Sequence, residues 1–287
     1  MLGGCVNNGV RLETDDGHLF FLKWRDDPPP GMYAAEAEGL TALGAAVFRT
    51  SGESLHGEAN QGGIRTPGVV RVGPKGAWLM LDFIPAGTRG SRTDEDLGRG
   101  LAAIHATPTA TPKFGWERDN WIGHLPQRNS PNALWGPFWR DARIAPQLEL
   151  ARSQGFFRPT EEDGRKMDQL LGVVDSALDD VKEPALLHGD LWSGNAYADA
   201  EGHPVLIDPA AYRGDGEVDL AMTELFGGFG TRFYDAYREA RPISSAYHAY
   251  RRDLYQLYYL LVHVNLFGAS YLAGSLRAVD RVLSEFG

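Results

Sequence analysis

Residues 186–195 read LLHGDLWSGN. Two aliphatic residues run into His188, Asp190 and Asn195 within a single short stretch. Gly, Asp, Ser and Asn all form turns, so a strand followed by a turn is the simplest account. The spacing asks for more. His188, Asp190 and Asn195 stand in the pattern H-x-D-x-x-x-x-N, and Asp208 follows at the end of a second aliphatic run, VLIDP. Phosphoryl transfer from ATP needs a group that positions the attacking hydroxyl, oxygen ligands for Mg²⁺, and a lysine for the phosphates. Protein kinases place the first two in this spacing. An isolated H-x-D is more often a capped turn, but four positions must here be explained together. They predict Asp190 as catalytic base, with Asn195 and Asp208 as metal ligands, because amide and carboxylate oxygens are the hard donors Mg²⁺ prefers.

The N-terminal third offers an independent check. Val10–Leu12 and His18–Trp24 flank Asp15-Asp16-Gly17, the signature of a hairpin. Lys23 ends the apolar run LFFLKW, and Met32–Ala46 is rich in Ala, Glu and Leu and reads as a helix with Leu40 and Leu43 on its apolar side. Glu36 on that helix is the expected partner of Lys23, a pairing that positions the α- and β-phosphates. Glu38 is the alternative, but it lies about 200° around the helix from Glu36, so both cannot face one strand. The glycine-rich segment Gly3–Gly9, with Gly4 and Cys5, can lay backbone amides over phosphates, although it lacks G-x-G-x-x-G spacing. Phe48–Gly63 is polar and Gly-rich and reads as a mobile loop. Val69–Val72 and Ala77–Ile84 read as two further strands. The backbone of Asp82, Phe83 and Ile84, at the end of the second, is expected to meet adenine.

Past Pro85-Ala86-Gly87 the character changes. Asp94–Ala106 reads as a helix with an acidic first turn, as the helix dipole favours. Trp116–Pro137 reads as irregular, Phe138–Ala151 and Glu161–Val181 as helices, and Val218 to the end as consecutive helices. Leu186-Leu187 and Pro204–Ile207 are short apolar runs bracketing the opening motif. His105 reads as a helix-terminal residue without a catalytic role. His263 and Asn265 interrupt an apolar helix and read as satisfied core groups, with a place on a cleft wall as the alternative. The expected fold is α+β and two-lobed: residues 1–86 form a small β-rich ATP-binding lobe with one helix, and residues 87–287 a larger helical lobe for catalysis and substrate.

Bulk properties narrow the class. With 28 basic and 38 acidic residues the net charge is −10, which argues against nucleic-acid binding. A single cysteine, Cys5, excludes an internal disulfide framework and fits a reducing cytoplasm. The N-terminus lacks a basic segment followed by an apolar one, so no signal peptide is expected. No window reaches the roughly 20 apolar residues of a membrane helix.

These residues resemble the fructosamine-3-kinase family, also called ketosamine kinases, within the aminoglycoside-phosphotransferase and protein-kinase-like superfamily. The resemblance rests on LLHGDLWSGN, the following IDPA, and DLAMTELFGGF at 219–229. It extends through GGC at 3–5, AEAEGL at 35–40, FGWERDNWIG at 114–123, PQ with Asn129, RIAPQLELA at 143–151 and YQLYYLLVHVNLFGASY at 255–271, so it spans nearly the whole chain. It implies Asp190 as base toward a sugar hydroxyl, Asn195 and Asp208 on Mg²⁺, and Lys23 with Glu36 as the ion pair of the ATP lobe. Trp192, inside the catalytic loop, is implied to stack on the substrate, with His188 and Glu217 also at the substrate. The family phosphorylates the third-carbon hydroxyl of ketosamines, free or on protein lysines, and the unstable product frees the amine.

The chain departs from the family at three points. Asp215 stands where relatives carry histidine, which bears on substrate range and loop geometry; the Phe48–Gly63 segment is longer; and the chain begins almost at the glycine-rich segment, which bears on ATP affinity. Cys5 reads either as an exposed thiol able to link two chains into a redox-controlled dimer, or as a buried inert one in a monomer. Two other functions compete: a phosphotransferase acting on another hydroxyl compound, such as an aminoglycoside or choline, and a non-catalytic binding protein of kinase fold.

Overall fold

The computed structural model describes residues 8–51 and 63–286. Gly4 and Cys5, and most of the expected Phe48–Gly63 loop, lie outside the described residues.

The first lobe begins with the expected hairpin. β1 (Asn8–Glu13) and β2 (Leu19–Trp24) pair antiparallel with Asn8 opposite Trp24 and Glu13 opposite Leu19. Gly17 closes the turn at φ +82°, a conformation an L side chain resists. After α1 (Met32–Ser51), β3 (Val69–Val72) and β4 (Trp78–Asp82) complete a four-stranded sheet in the order β1-β2-β4-β3. α1 runs five residues beyond the expected Ala46, because Val47–Ser51 contains neither Gly nor Pro and nothing stops the helix before Gly52. Its Tyr33, Ala37 and Leu40 pack on Leu79 and Leu81 of β4. Lys23 lies directly opposite Leu79. Side chains opposite one another across a strand pair share a face, so Lys23 points at α1.

The second lobe is mainly helical, making the fold two-lobed α+β. α2 (Thr93–Ala106) opens on Asp94, Glu95 and Asp96. α3 (Trp135–Trp139) continues through a π-turn at Arg140–Ile144 into α4 (Ala145–Ser153), and α5 (Glu162–Ala177) follows. The C-terminal run is α6 (Glu217–Leu225), α7 (Thr231–Ala240), α8 (Arg252–Phe267) and α9 (Leu272–Phe286). α8 buries an almost unbroken apolar and tyrosine surface from Leu254 to Val264 and forms the spine of the main core.

The stretch expected to be irregular contains a hairpin, β5 (Asn120–Ile122) and β6 (Leu125–Gln127). Pro126 within the second strand disguises it, since proline removes a ladder donor. Side chains replace what the short ladder lacks. Asn120 donates to the Ala211 carbonyl (2.9 Å) and accepts from Gln127 (2.7 Å) and Asn129 (2.8 Å), all of them buried.

Two further pairs of three-residue strands frame the opening motif: β7 (Ala185–Leu187) with β10 (Tyr212–Gly214), and β8 (Ala196–Ala198) with β9 (Pro204–Leu206). The first lobe meets the β8–β9 hairpin at both edges. Arg65 exchanges backbone hydrogen bonds with Pro204 and Leu206 (2.8 and 2.9 Å) and pairs with Asp199 (2.6 Å). On the other edge Gly87 donates to Ala198 (2.8 Å), and the Tyr197 hydroxyl donates to the Ile84 carbonyl (3.0 Å). Ile64, with Leu43 and Ala46 of α1, belongs to the large core.

α2 and α7 cross closely at Gly98, where an added Cβ would come within 2.2 Å of the Phe233 carbonyl. Gly98→Ala is therefore expected to destabilise the protein by about 1–3 kcal/mol despite alanine's better helix propensity. Chemical denaturation checks the sign, which propensity alone would predict to be opposite.

Candidate active site

The catalytic loop leaves β7 at Leu187 and re-enters a strand at Ala196, while Asp208 lies just beyond β9. Two strand pairs, one of them a hairpin, thus bring Asp190, Asn195 and Asp208 together. The loops are laced to each other: Ala210 N–H donates to the His188 carbonyl (2.9 Å) and Ile207 N–H to the Asn195 carbonyl (3.1 Å). Gly189 has φ +80°, and a Cβ there would meet the Ala210 carbonyl at 2.2 Å. Only glycine permits the reversal that turns His188 inward and Asp190 outward. Asp208 itself has φ +54°, a conformation costing roughly 1–3 kcal/mol in a non-glycine residue and concentrated at functional sites.

Asn195 donates through Nδ2 to the Asp190 backbone carbonyl (2.8 Å) and to its carboxylate (3.3 Å). That orientation leaves Oδ1 as its available ligand atom. Together with the Asp208 carboxylate it makes an all-oxygen donor set, which fits a divalent hard cation. Burial, and then the charge of nearby Asp208, push the Asp190 carboxyl up to about 7, against the opposing hydrogen bond from Asn195. A base titrating near neutrality suits proton transfer from a hydroxyl.

Lys23 reaches across from the first lobe. Its Nζ lies 2.7 Å from Glu36 and 2.8 Å from Asp208. Burial works against its charge, but the two carboxylates outweigh that and hold the ammonium above its usual range. Burial also raises the Glu36 carboxyl, with Lys23 opposing. Glu38 is half-buried and pairs with Arg118 of the second lobe at 2.8 Å, so Glu36 is the lysine's partner.

Between the lobes lies a cavity of about 440 Å³. Lys23, Glu36, Asp190, Asn195 and Asp208 line one end, and Trp192, which is 36% exposed, stands at its wall. Several of the expected residues lie away from the cavity. His188 is fully buried beneath the loop: Nε2 bonds the Ile207 carbonyl (2.9 Å) and Nδ1 accepts the Asp190 N–H (3.3 Å). Burial lowers its pKa, and it shapes the loop without reaching the cavity. Glu217 accepts from Ser244 N–H (2.6 Å), the Ser244 hydroxyl (3.0 Å) and Arg251 (3.2 Å), a buried network away from the cavity. Asp215 joins that network, taking the Tyr255 hydroxyl at 2.6 Å, so the departure from histidine is balanced by Arg251 and does not line the cavity. Asp82, Phe83 and Ile84 join the lobes but do not line the cavity either; the Asp82 and Phe83 N–H groups and the Ile84 carbonyl are bonded within the protein. His263, read as a core residue, is half-buried and lines the cavity, whereas Asn265 bonds Gln147 (2.8 Å).

One functional residue escaped the sequence reading. Asp219 of α6 is fully buried and accepts the backbone N–H of His188 (2.7 Å) and of Gly189 (2.9 Å). Its third partner is His105 Nε2 (3.1 Å), whose Nδ1 bonds the Tyr237 hydroxyl (2.8 Å). Burial opposes its charge, but the hydrogen bonds from His105 and from the Gly189 amide hold the carboxyl below its usual range. Asp219 is a positioning residue, and His105 acts behind it. The available signal was a second acidic residue in the first turn of α6, set between the apolar Val218 and Leu220.

The family model for fructosamine kinase matches residues 1–285. The chain belongs to the fructosamine kinase family. Among curated proteins it is 39% identical to a candidate ketoamine kinase of Synechocystis over 272 residues, covering 94% of this chain and 84% of the relative. It is 36% identical to the chloroplastic protein-ribulosamine 3-kinase of Arabidopsis thaliana over 283 residues, covering 98% and 81%. A crystal structure of a candidate fructosamine-3-kinase from Thermobifida fusca superposes with a TM-score of 0.83 at 34% identity, covering 98% of this chain and 91% of that one. A family member is a phosphotransferase toward a hydroxyl group, with ATP as the expected phosphate donor.

Two measurements check this geometry. Asp219→Asn is expected to lower kcat about 10- to 100-fold with little change in KM for ATP, since a charge-assisted hydrogen bond to the loop is worth about 1.5–3 kcal/mol. For Asp190, a folded-state pKa raised above the unfolded value means stability falls as pH rises from 3.8 towards 7. Metal-free Asp190→Asn is therefore expected to melt higher than wild type at pH 8 and no higher at pH 4.

Proposed function

We propose that this chain transfers the γ-phosphoryl group of ATP to the third-carbon hydroxyl of ketosamines, the adducts of sugars with amines. The observation that carries this reading is the meeting of Asp190, Asn195, Asp208 and Lys23 at one end of a cavity whose other walls are aromatic and apolar. A sugar presents hydroxyls to one side and C–H faces to another, and Trp192 offers a flat surface to the latter. Asp190 then accepts the proton of the hydroxyl that attacks, while Lys23, anchored by Glu36, supplies positive charge to the phosphates. Mg²⁺, when bound by Asn195 and Asp208, neutralises phosphate charge. The chain's own part is to hold these groups in register, which the lacing of the two loops and the clamp of Asp219 accomplish. The phosphorylated ketosamine decomposes and frees the amine, so the net outcome is deglycation of small amines and of lysine side chains.

The test is phosphorus NMR of the product formed from ATP and a panel containing fructosyl-lysine, ribulosyl-lysine, choline and an aminoglycoside. A phosphate ester at the third carbon of the ketosamines is expected, and Asp190→Asn is expected to reduce turnover by about 10²–10⁴-fold while ATP still binds. Phosphorylation of choline or the aminoglycoside in preference to either ketosamine would refute the reading.

A further inference from the structure

The cavity wall around His263 is built from parts that the phosphoryl-transfer groups do not use. His263 of α8 sits among three rings from different elements: Phe226 after α6 (4.8 Å between ring centroids), Phe267 at the end of α8 (5.4 Å) and Tyr271 before α9 (4.9 Å). All four line the cavity. Phe226 is 41% and Phe267 59% exposed, large apolar surface left at the cavity mouth. The acidic residues that line the cavity are Glu36, Asp190 and Asp208, and none of them is a partner of His263.

The hydrogen bonding of His263 fixes which nitrogen faces a ligand. Nδ1 lies 2.8 Å from the Tyr259 carbonyl. A carbonyl only accepts, so Nδ1 carries the hydrogen. Burial lowers the pKa of the ring, which keeps it neutral and leaves a lone pair on Nε2. Among the described residues Nε2 has no partner. Its position follows from the helix. The Tyr259 hydroxyl donates to the Gly189 carbonyl (2.8 Å), beside Asp190. His263 stands one turn, about 6 Å, further along the same face of α8. A ketosamine whose third-carbon hydroxyl meets Asp190 carries its nitrogen two carbons away, a span comparable with that turn.

We propose that His263 is a specificity-determining residue: its Nε2 accepts a hydrogen bond from the ketosamine nitrogen, and Phe226, Phe267 and Tyr271 pack the arm of the amine. The inference rests on the ketosamine reading above. An ammonium N–H suits this acceptor, and the surrounding ring faces stabilise a cation without a carboxylate. The arm leaves over Phe226 and Phe267 into solvent, so its length is not limited. The site therefore distinguishes a ketosamine from a plain ketose by the nitrogen, not by the sugar.

The experiment compares kcat/KM for a fructosamine bearing a benzyl arm with that for 1-deoxyfructose, which has no donor at the first carbon. His263→Phe keeps a ring but removes the acceptor. It is expected to lose about tenfold or more on the fructosamine, mainly through KM, and less than about twofold on 1-deoxyfructose, with KM for ATP unchanged. His263→Gln, which restores an acceptor, is expected to recover part of the loss. Equal losses on both sugars in both variants, or an unaltered fructosamine KM in His263→Phe, overturn the assignment. Wild-type turnover of the fructosamine is scored first. No turnover there overturns the function itself, and the subsite with it, whereas turnover independent of His263 overturns the subsite alone.

Discussion

A buried ammonium must be paired, and Lys23 shows how much structure that requirement organises. Leaving such a charge without partners costs several kcal/mol, so the strand, the helix and the loop that meet it are bound to a common geometry. Glu36 comes from α1 and Asp208 from the far lobe, and both lie within 2.8 Å of Nζ. The alternation of β2 puts Lys23 on the α1 side; the packing of Tyr33 and Leu40 on β4 sets the height of Glu36. Every part of the phosphate end of the cavity is referred to this one nitrogen.

The charge there does not balance. Glu36, Asp190 and Asp208 face a single lysine, and like charges at close quarters raise one another's pKa. Burial first, and then the charge of Asp208, raise the Asp190 carboxyl. A divalent cation and a polyphosphate add opposite charges to such a site, so the unliganded protein carries an imbalance that its substrates complete. The stability lost in holding these acids together is compensated by apolar packing around α8 and by the fully satisfied Asp219 clamp.

How far the sequence foretold this depends on the kind of information. Spacing along the chain reported the convergence of Asp190, Asn195 and Asp208, because a strand–loop–strand unit has few ways to return. The roughly 200° separation of Glu36 and Glu38 on a helix left room for only one partner of Lys23, and the lysine–glutamate pairing of kinases named Glu36. Side-chain direction was not legible. His188 lies two residues from Asp190, yet the positive φ of Gly189 sends the two to opposite sides of the loop. Glu217 and Asp215 were displaced by a counter-ion, Arg251, that is distant in sequence and arrives only through the π-turn ahead of α8. Pro126 concealed β6, and Asp219 lay hidden because an acidic residue in the first turn of a helix reads as a partner of the helix dipole until the two amides it serves are in view.

The attachment of the first lobe has a mechanical corollary. Arg65 on one edge of the β8–β9 hairpin and Gly87 on the other tie the first lobe and its exit to the same two strands. Two anchorage points define an axis, so the sheet and α1 can rock about the line joining them but cannot swivel freely. Asn195 and Asp208 lie at the ends of those very strands. Any rocking that opens the cleft pivots near Asn195 and Asp208, where displacement is smallest, and leaves their separation unaltered while Lys23 swings through the larger arc.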